Sequence, residues 1–386
     1  MEIEIGRGKK ARRAYGFDEI TIVPSRRTRN PDEVDIAWKL GPYRFELPLL
    51  ASPMDAAISP ATARTIGRLG GLAVLDLEGV WTRHEDADAQ LEALAGLPEA
   101  EALHRLRELH AAPVRADLIT ERIREIKSEP GVVVAGSLTP QRVRKHYEVA
   151  LEAGLDVLAI LGTVVSAEHV AKAGAGGIAS GETHHEVLNL KEFIAEVPVP
   201  VVVGGCSSYH TGLHLMRTGA AGVLVGVGAG AGSTVRRVLG VGLPQATAIA
   251  DVAGARSTHV LETGEYVQVI ADGGMRTGGD LAKAIACGAD AVMLGAPLSR
   301  AAEAPGRGWH WTPAAAHREL PRGGRVHVGT AAPLEQVLLG PGTDGSGTTN
   351  LIGALKRSMA TCGSLDLAEF NRAQIAVAPA ANHPIA

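Results

Sequence analysis

The chain predicts an α/β fold, a (β/α)8 TIM barrel with extended βα loops, and three observations carry that expectation. Eight short apolar segments recur along the 386 residues with helical patterns between them, the strand count of such a barrel. Several are apolar on both faces, as strands are in a parallel sheet covered by helices. Aromatic residues make up only 3% of the chain, so the core must be built from Ala, Val, Leu and Ile, the usual filling of these barrels. An open doubly wound sheet is the competing arrangement.

Taken in order, strand one covers residues 47–52. Ser59 and Pro60 follow as an N-cap and N1 pair ahead of a helix over 61–69. Strand two is 71–77, and a charged helical insertion (78–131, helical over 99–110 and 117–128) leads to strand three at 132–137. Thr139 and Pro140 repeat the cap signal before a helix over 141–153, and strand four is 157–162. A glycine-rich loop at 174–187 carries His184 and His185, which lack metal-ligand spacing to any other cluster and read as solvated loop. Strands five to eight are 200–204, 222–227, 267–271 and 290–294. Gly154, Gly219 and Gly288 stand where helix C-caps are expected. A long Gly- and Pro-rich, flap-like excursion (296–349) precedes a last helix at 350–361. The whole chain, 1–386, reads as one barrel domain with an N-terminal segment over 1–46.

Bulk properties narrow the function. A formal net charge of -4 offers no broad basic surface, so nucleic acid is not an expected partner. Cys206, Cys287 and Cys362 are odd in number and widely spaced, which points to a reducing compartment. No apolar run reaches ~18 residues and the first residues lack an apolar signal core. The expectation is a cytoplasmic protein without membrane contact. Arg26, Arg27 and Arg29 read as a solvated or subunit-contact run.

The richest segment is VQVIADGGMRTGGDLAKAIACGADAVMLG, residues 267–295. Its two apolar strands end in Asp272-Gly273-Gly274 and in Gly295. Ligands bind at such strand ends, where glycines let backbone N–H groups approach a phosphate. Asp272 is the strongest polar candidate, because a carboxylate can accept two hydrogen bonds from a ribose diol; capping its own turn is the plainer role. Other strand ends contribute Ser52, Met54, Asp55, Asp76, Glu78, Gly162, Thr163 and Cys206. The loop GVGAGAGSTVRR from Gly226 to Arg237 is a backbone cradle for a ligand or a monovalent cation. It does not follow the dinucleotide fingerprint, which needs an acidic residue about 20 positions on.

Six segments together resemble the IMP dehydrogenase/GMP reductase family: ASPMDAAISPATA (51–63), GVGAGAGSTVRR, VGLPQATAIADVA (241–253), VIADGG, ADAVMLG (289–295) and EAPGRG (303–308). They span most of the chain in family order, and resemble most the short branch without the tandem CBS module. The resemblance implies a purine nucleotide monophosphate (IMP, XMP or GMP), NAD or NADP as cofactor, and a homotetramer active in GMP biosynthesis. Ser52 and Met54 match nucleotide contacts, Asp272 the ribose-holding carboxylate, and Gly273, Gly274 and Gly295 the phosphate cradle. Cys206, Gly226 and Gly228 fall on the cofactor side.

The departures are equally specific. Ser233 stands where the family carries its nucleophilic cysteine, and Val235 where a threonine precedes Arg236. A thiol with pKa near ~8.5 becomes a thiolate with modest help, whereas a serine hydroxyl needs an adjacent base, and this loop supplies none. A catalytically impaired, nucleotide-binding paralogue is therefore the second expectation. The family's aspartate after strand four is replaced by Leu161 or Gly162, and its arginine–tyrosine pair has no counterpart in 296–349. Trp309, His310 and Trp311 either stack over a bound base or anchor the long excursion.

Overall fold

In a computed structural model that describes residues 2–167, 188–317 and 323–378, eight parallel strands close into a ring. The barrel strands are β1 (Leu49–Ala51), β2 (Leu72–Asp76), β3 (Ala135–Leu138), β4 (Val157–Leu161), β5 (Val201–Cys206), β6 (Gly222–Val225), β7 (Gln268–Asp272) and β8 (Ala291–Leu294). Each pairs with its successor, and β8 returns to β1 through Val292↔Leu49, Met293↔Leu50 and Leu294↔Ala51. Closure removes every sheet edge, and short apolar strands suffice because each is covered on both sides. The open doubly wound alternative is excluded. Residues 168–187, with His184 and His185, lie outside the described residues.

The helices follow the cap chemistry. Helix α1 (Pro60–Arg68) begins at Ser59, whose hydroxyl accepts the N–H of Thr62. Gly154 ends the helix Val143–Ala153 in the left-handed conformation that glycine adopts without strain. Two boundaries shift for local reasons. Strand three starts at Ala135, not at residue 132, because the Asp156 carboxylate takes the N–H of Val134 out of the ladder. The helix after it starts at Val143, not at residue 141: the Thr139 carbonyl first accepts Arg142 and Val143 in a turn.

Three segments extend the barrel. A hairpin of Trp38–Leu40 with Tyr43–Phe45 sits against Pro200, at the end of the barrel where the strands begin. Its buried Trp38 donates to the Leu47 carbonyl at 2.7 Å. Between β2 and β3 lie α2 (Ala87–Ala95), α3 (Glu99–Ala111) and α4 (Ala116–Lys127). Helix α4 packs beside α1 and against Val143–Ala153, in the barrel's own helical layer, so α2 and α3 are the added part. After β8, the excursion holds a strand pair (Trp309–His310 with Val326–His327) and the helix Leu334–Leu339. It then rejoins the barrel at the helix Leu351–Thr361, which Asn350 caps. Among the described residues no helix is long and apolar enough to cross a membrane.

Candidate nucleotide site at the barrel mouth

The carboxyl ends of β1, β6, β7 and β8 converge on one region. Ser52 follows β1 and donates its backbone N–H to the Leu294 carbonyl at 2.8 Å, which binds it to the end of β8. A Cβ placed on Gly295 would stand 3.6 Å from Cβ of Ser52. Asp272, Gly273 and Gly274 end β7, both glycines with φ of +81°. Their left-handed turn brings Gly273 against the backbone of Ala229 and Gly230 in the loop after β6. The sequence-predicted residues Ser52, Asp272, Gly273, Gly274 and Gly295 are thus neighbours in space. Met54 lies beside them, half-buried, at the turn after β1.

Among the described residues the N–H groups of Gly273, Gly274 and Gly295 donate to no protein acceptor. The Asp272 carboxylate likewise meets no donor, and burial pushes its carboxyl up to about 7. A half-buried carboxylate beside free backbone donors leaves both kinds of group open to a ligand. It suits a ribose diol on the acid and an anion on the amides.

The loop after β6 is pinned at both ends. Gln245, at the start of the helix Gln245–Thr263, donates from Nε2 to the carbonyls of Val225 (2.6 Å) and Asp272 (3.1 Å). This amide ties the ends of β6 and β7 together, and sequence reading missed it. Its one signal was a polar side chain directly after Pro244. Gly226 donates to the Cys206 carbonyl at 2.8 Å, and any side chain there would collide with the Asp272 carbonyl. Gly228 (φ +68°) packs under Val235 and Arg236. The Gly230 and Gly232 carbonyls, two of the loop's potential cation ligands, already accept the N–H groups of Ser233 and Gly324. Ser233 forms an isolated antiparallel bridge with Gly323 of the excursion, and its Oγ meets the N–H of Val235 at 3.4 Å. Among the described residues no histidine or carboxylate hydrogen-bonds that hydroxyl.

The cysteines stand apart from this chemistry. Cys206 is enclosed at the end of β5 and burial pushes its thiol up to about 12. Cys287 is also pushed up to about 12 by burial, and Cys362 lies against the Val23 carbonyl. All three are free.

A second group of acids lines the mouth at β1 and β2. Asp55 accepts the Val80 N–H at 3.1 Å and lies 3.3 Å from Nε2 of His110 on α3. Glu78 accepts the Thr139 N–H at 2.6 Å and pairs with Arg142 at 3.2 Å. Among the described residues the Asp76 carboxylate receives only the Glu78 N–H, at 2.9 Å. Burial first, then the charges of Asp55 and Glu78, hold its carboxyl well above the usual carboxylate range.

The Trp309 indole does not hang over the mouth. Arg325 lies over its face at 3.9 Å and His327 meets it edge-on at 4.8 Å. Trp311 is buried. Of the two roles open to these tryptophans, the structure assigns anchoring of the excursion. Arg26, Arg27 and Arg29 of the basic run are exposed, and the backbone N–H of Arg29 donates to the Ala360 carbonyl.

Comparison with known proteins places the chain by family and fold. The IMP dehydrogenase/GMP reductase domain family matches residues 14–316. An uncharacterized oxidoreductase of Mycobacterium tuberculosis is 51% identical over 384 residues, covering 97% of this chain and 99% of its own. The inosine-5'-monophosphate dehydrogenase of Methanocaldococcus jannaschii is 26% identical over 470 residues, with 94% of this chain and 92% of its own covered. The crystal structure of an IMP dehydrogenase/GMP reductase-like protein from Corynebacterium glutamicum superposes with a TM-score of 0.90 at 44% identity, over 97% of both chains.

Proposed function

This chain belongs to the IMP dehydrogenase/GMP reductase family of oxidoreductases, and from that premise we propose that its barrel mouth binds a purine nucleoside monophosphate. IMP, XMP and GMP are the substrates in question, with oxidation or reduction at the purine C2 in guanine nucleotide metabolism. One observation carries the reading: the donor-free Asp272 carboxylate beside the open N–H groups of Gly273, Gly274 and Gly295. Ribose and phosphate together match that pattern of acceptor and donors.

NAD or NADP is the redox partner that family membership implies. Among the described residues Cys206, Gly226 and Gly228 do not fit it. The Cys206 carbonyl is occupied, its thiol is enclosed, and Gly228 packs under Arg236. The three free cysteines fit a cytoplasmic setting, and a homotetramer is the assembly the resemblance brings.

Ser233 favours a second reading. With a hydroxyl in place of the thiol and no base on it, covalent attack on the purine lacks its activated nucleophile. The protein then binds nucleotide as a sensor or as an accessory subunit. Titration with IMP and GMP, followed by absorbance at the NAD(P)H band, separates the readings. Binding with turnover supports the enzyme, and binding without it the sensor. Failure to bind any purine monophosphate sinks both.

A further inference from the structure

Resting on that reading, we propose that His310 is a phosphate-binding residue of this site, its Nε2 donating to the monophosphate ester between Gly295 and the loop at Gly232. The imidazole is buried, 2% exposed, in the excursion strand Trp309–His310. Its ring is fixed by one bond, Ser299 Oγ to Nδ1 at 2.9 Å. The opposite edge faces the mouth. Cδ2 lies 3.3 Å from where a Cβ on Gly232 would stand, and Cε1 lies 3.1 Å from the same point on Gly295. Nε2 sits between those two ring atoms, so it points into the gap between the β6 loop and the end of β8.

Among the described residues Nε2 has no hydrogen-bond partner. Ser52, itself buried at 3% exposure, lines the same gap across Gly295, and its Oγ has no partner either. Two buried polar side chains and the free Gly295 N–H therefore converge on one space with nothing from the protein to bond. Polar atoms that open onto one gap with no protein partner leave their hydrogen bonds for a ligand to make.

The protonation pattern fits a donor. The Ser299 hydroxyl has one proton and two acceptors, Nδ1 at 2.9 Å and the Gly295 carbonyl at 3.4 Å. Donation to the nearer one, the arrangement this proposal requires, makes Nδ1 the acceptor. Burial keeps the ring neutral by lowering its pKa to about 4, so the ring's own proton sits on Nε2. A single N–H aimed at an anion discriminates phosphate ester from bare nucleoside, because a hydrogen bond to a charged group is about twice as strong as a neutral one.

The test compares IMP with inosine by calorimetry on wild type, His310→Leu, His310→Gln and Ser52→Ala, each checked for fold by circular dichroism. His310→Leu fills the volume without a donor and should weaken IMP about 10-fold or more, with inosine affinity unchanged. His310→Gln restores a donor near Nε2 and should recover most of the loss, while Ser52→Ala should show the same phosphate-selective weakening. Equal loss for IMP and inosine in His310→Leu, or no loss for either, overturns the proposal and leaves His310 a packing residue. Wild type binding IMP no more tightly than inosine overturns the phosphate role at once. Wild type binding neither fails the nucleotide reading itself, a result visible before any variant is made.

Discussion

The guanidinium of Arg325 lies 3.9 Å from the centre of the Trp309 indole, joining two halves of the excursion after β8. The same side chain donates to the carbonyls of Leu94 (2.8 Å) and Leu97 (2.5 Å) and pairs with Glu99 at 3.2 Å. One residue thus fastens the excursion to the insertion between β2 and β3. Arg325→Leu would keep the apolar contact and take the donor from the Leu97 carbonyl, whereas the Leu94 carbonyl still accepts the Leu97 N–H at 3.2 Å. A carbonyl left without a donor costs about 1–3 kcal/mol, and a loss of that size is expected from urea unfolding. A shift under 1 kcal/mol would mean that the two segments hold together by other contacts.

Asp272 makes nucleotide affinity depend on pH. Its carboxyl is pushed up to about 7 by burial in the free protein, and a ribose diol binds the ionised form. Protons then compete with ligand below pH 7, and affinity should fall about 10-fold per unit down to pH 5. Above pH 8 it should be flat. Asp272→Asn should bind weakly at every pH, and a persistent slope in that variant would move the titrating group elsewhere.

Ser233→Cys asks whether the missing thiol is the only defect. If the remaining machinery is intact, the variant should produce an NADH signal with IMP and NAD where wild type gives none or less. Ser233→Ala should leave IMP affinity within about twofold, because the hydroxyl contacts only the Val235 N–H. A silent cysteine variant that still binds IMP would place a second defect elsewhere in the site.

Gly226 and Gly230 form a matched pair for alanine substitution. A Cβ at Gly226 collides with the Asp272 carbonyl, and the nearest neighbours are backbone that cannot swing away. At Gly230 nothing lies within 4 Å. Gly226→Ala should destabilise by about 1–3 kcal/mol, as overpacking does, and abolish nucleotide binding. Gly230→Ala should stay within about 0.5 kcal/mol in thermal unfolding.

Asp76 predicts a pH effect on stability rather than on binding. Its folded pKa is raised above the unfolded value by burial, then by Asp55 and Glu78. The folded state therefore holds the proton more tightly, and stability falls as pH rises from the unfolded pKa towards the folded one. Asp76→Asn removes that slope. The variant should gain stability relative to wild type more at pH 8 than at pH 4, and equal gains at both would remove Asp76 as the source.

The barrel was legible because its strands carry period and composition locally. Residues 267–295 announced two strands, a helix and a ligand-binding pair of turns without any partner in view. Ser52 was placed at the mouth from its strand end alone. What stayed hidden depends on chain closure. Gln245 looked like any helix start until the fold brought the Val225 and Asp272 carbonyls to its amide. His310 read as part of an aromatic trio, since nothing near it in sequence says that Gly232 and Gly295 flank its ring. The acids at β2 were visible one by one, whereas their mutual repulsion appears only once Asp55 stands beside Asp76.

The return of β8 to β1 gives the ring a seam, and Ser52 and Gly295 lie on opposite sides of it. A nucleotide seated there would staple the first and last strands of the circle. Its affinity would then report on whether the circle is shut, and saturating ligand would protect closure by mass action, about 2.7 kcal/mol at a hundredfold excess over Kd. Strands β1 and β8 should accordingly be where amide exchange slows most when nucleotide is added, which makes the join a clasp as well as a binding site.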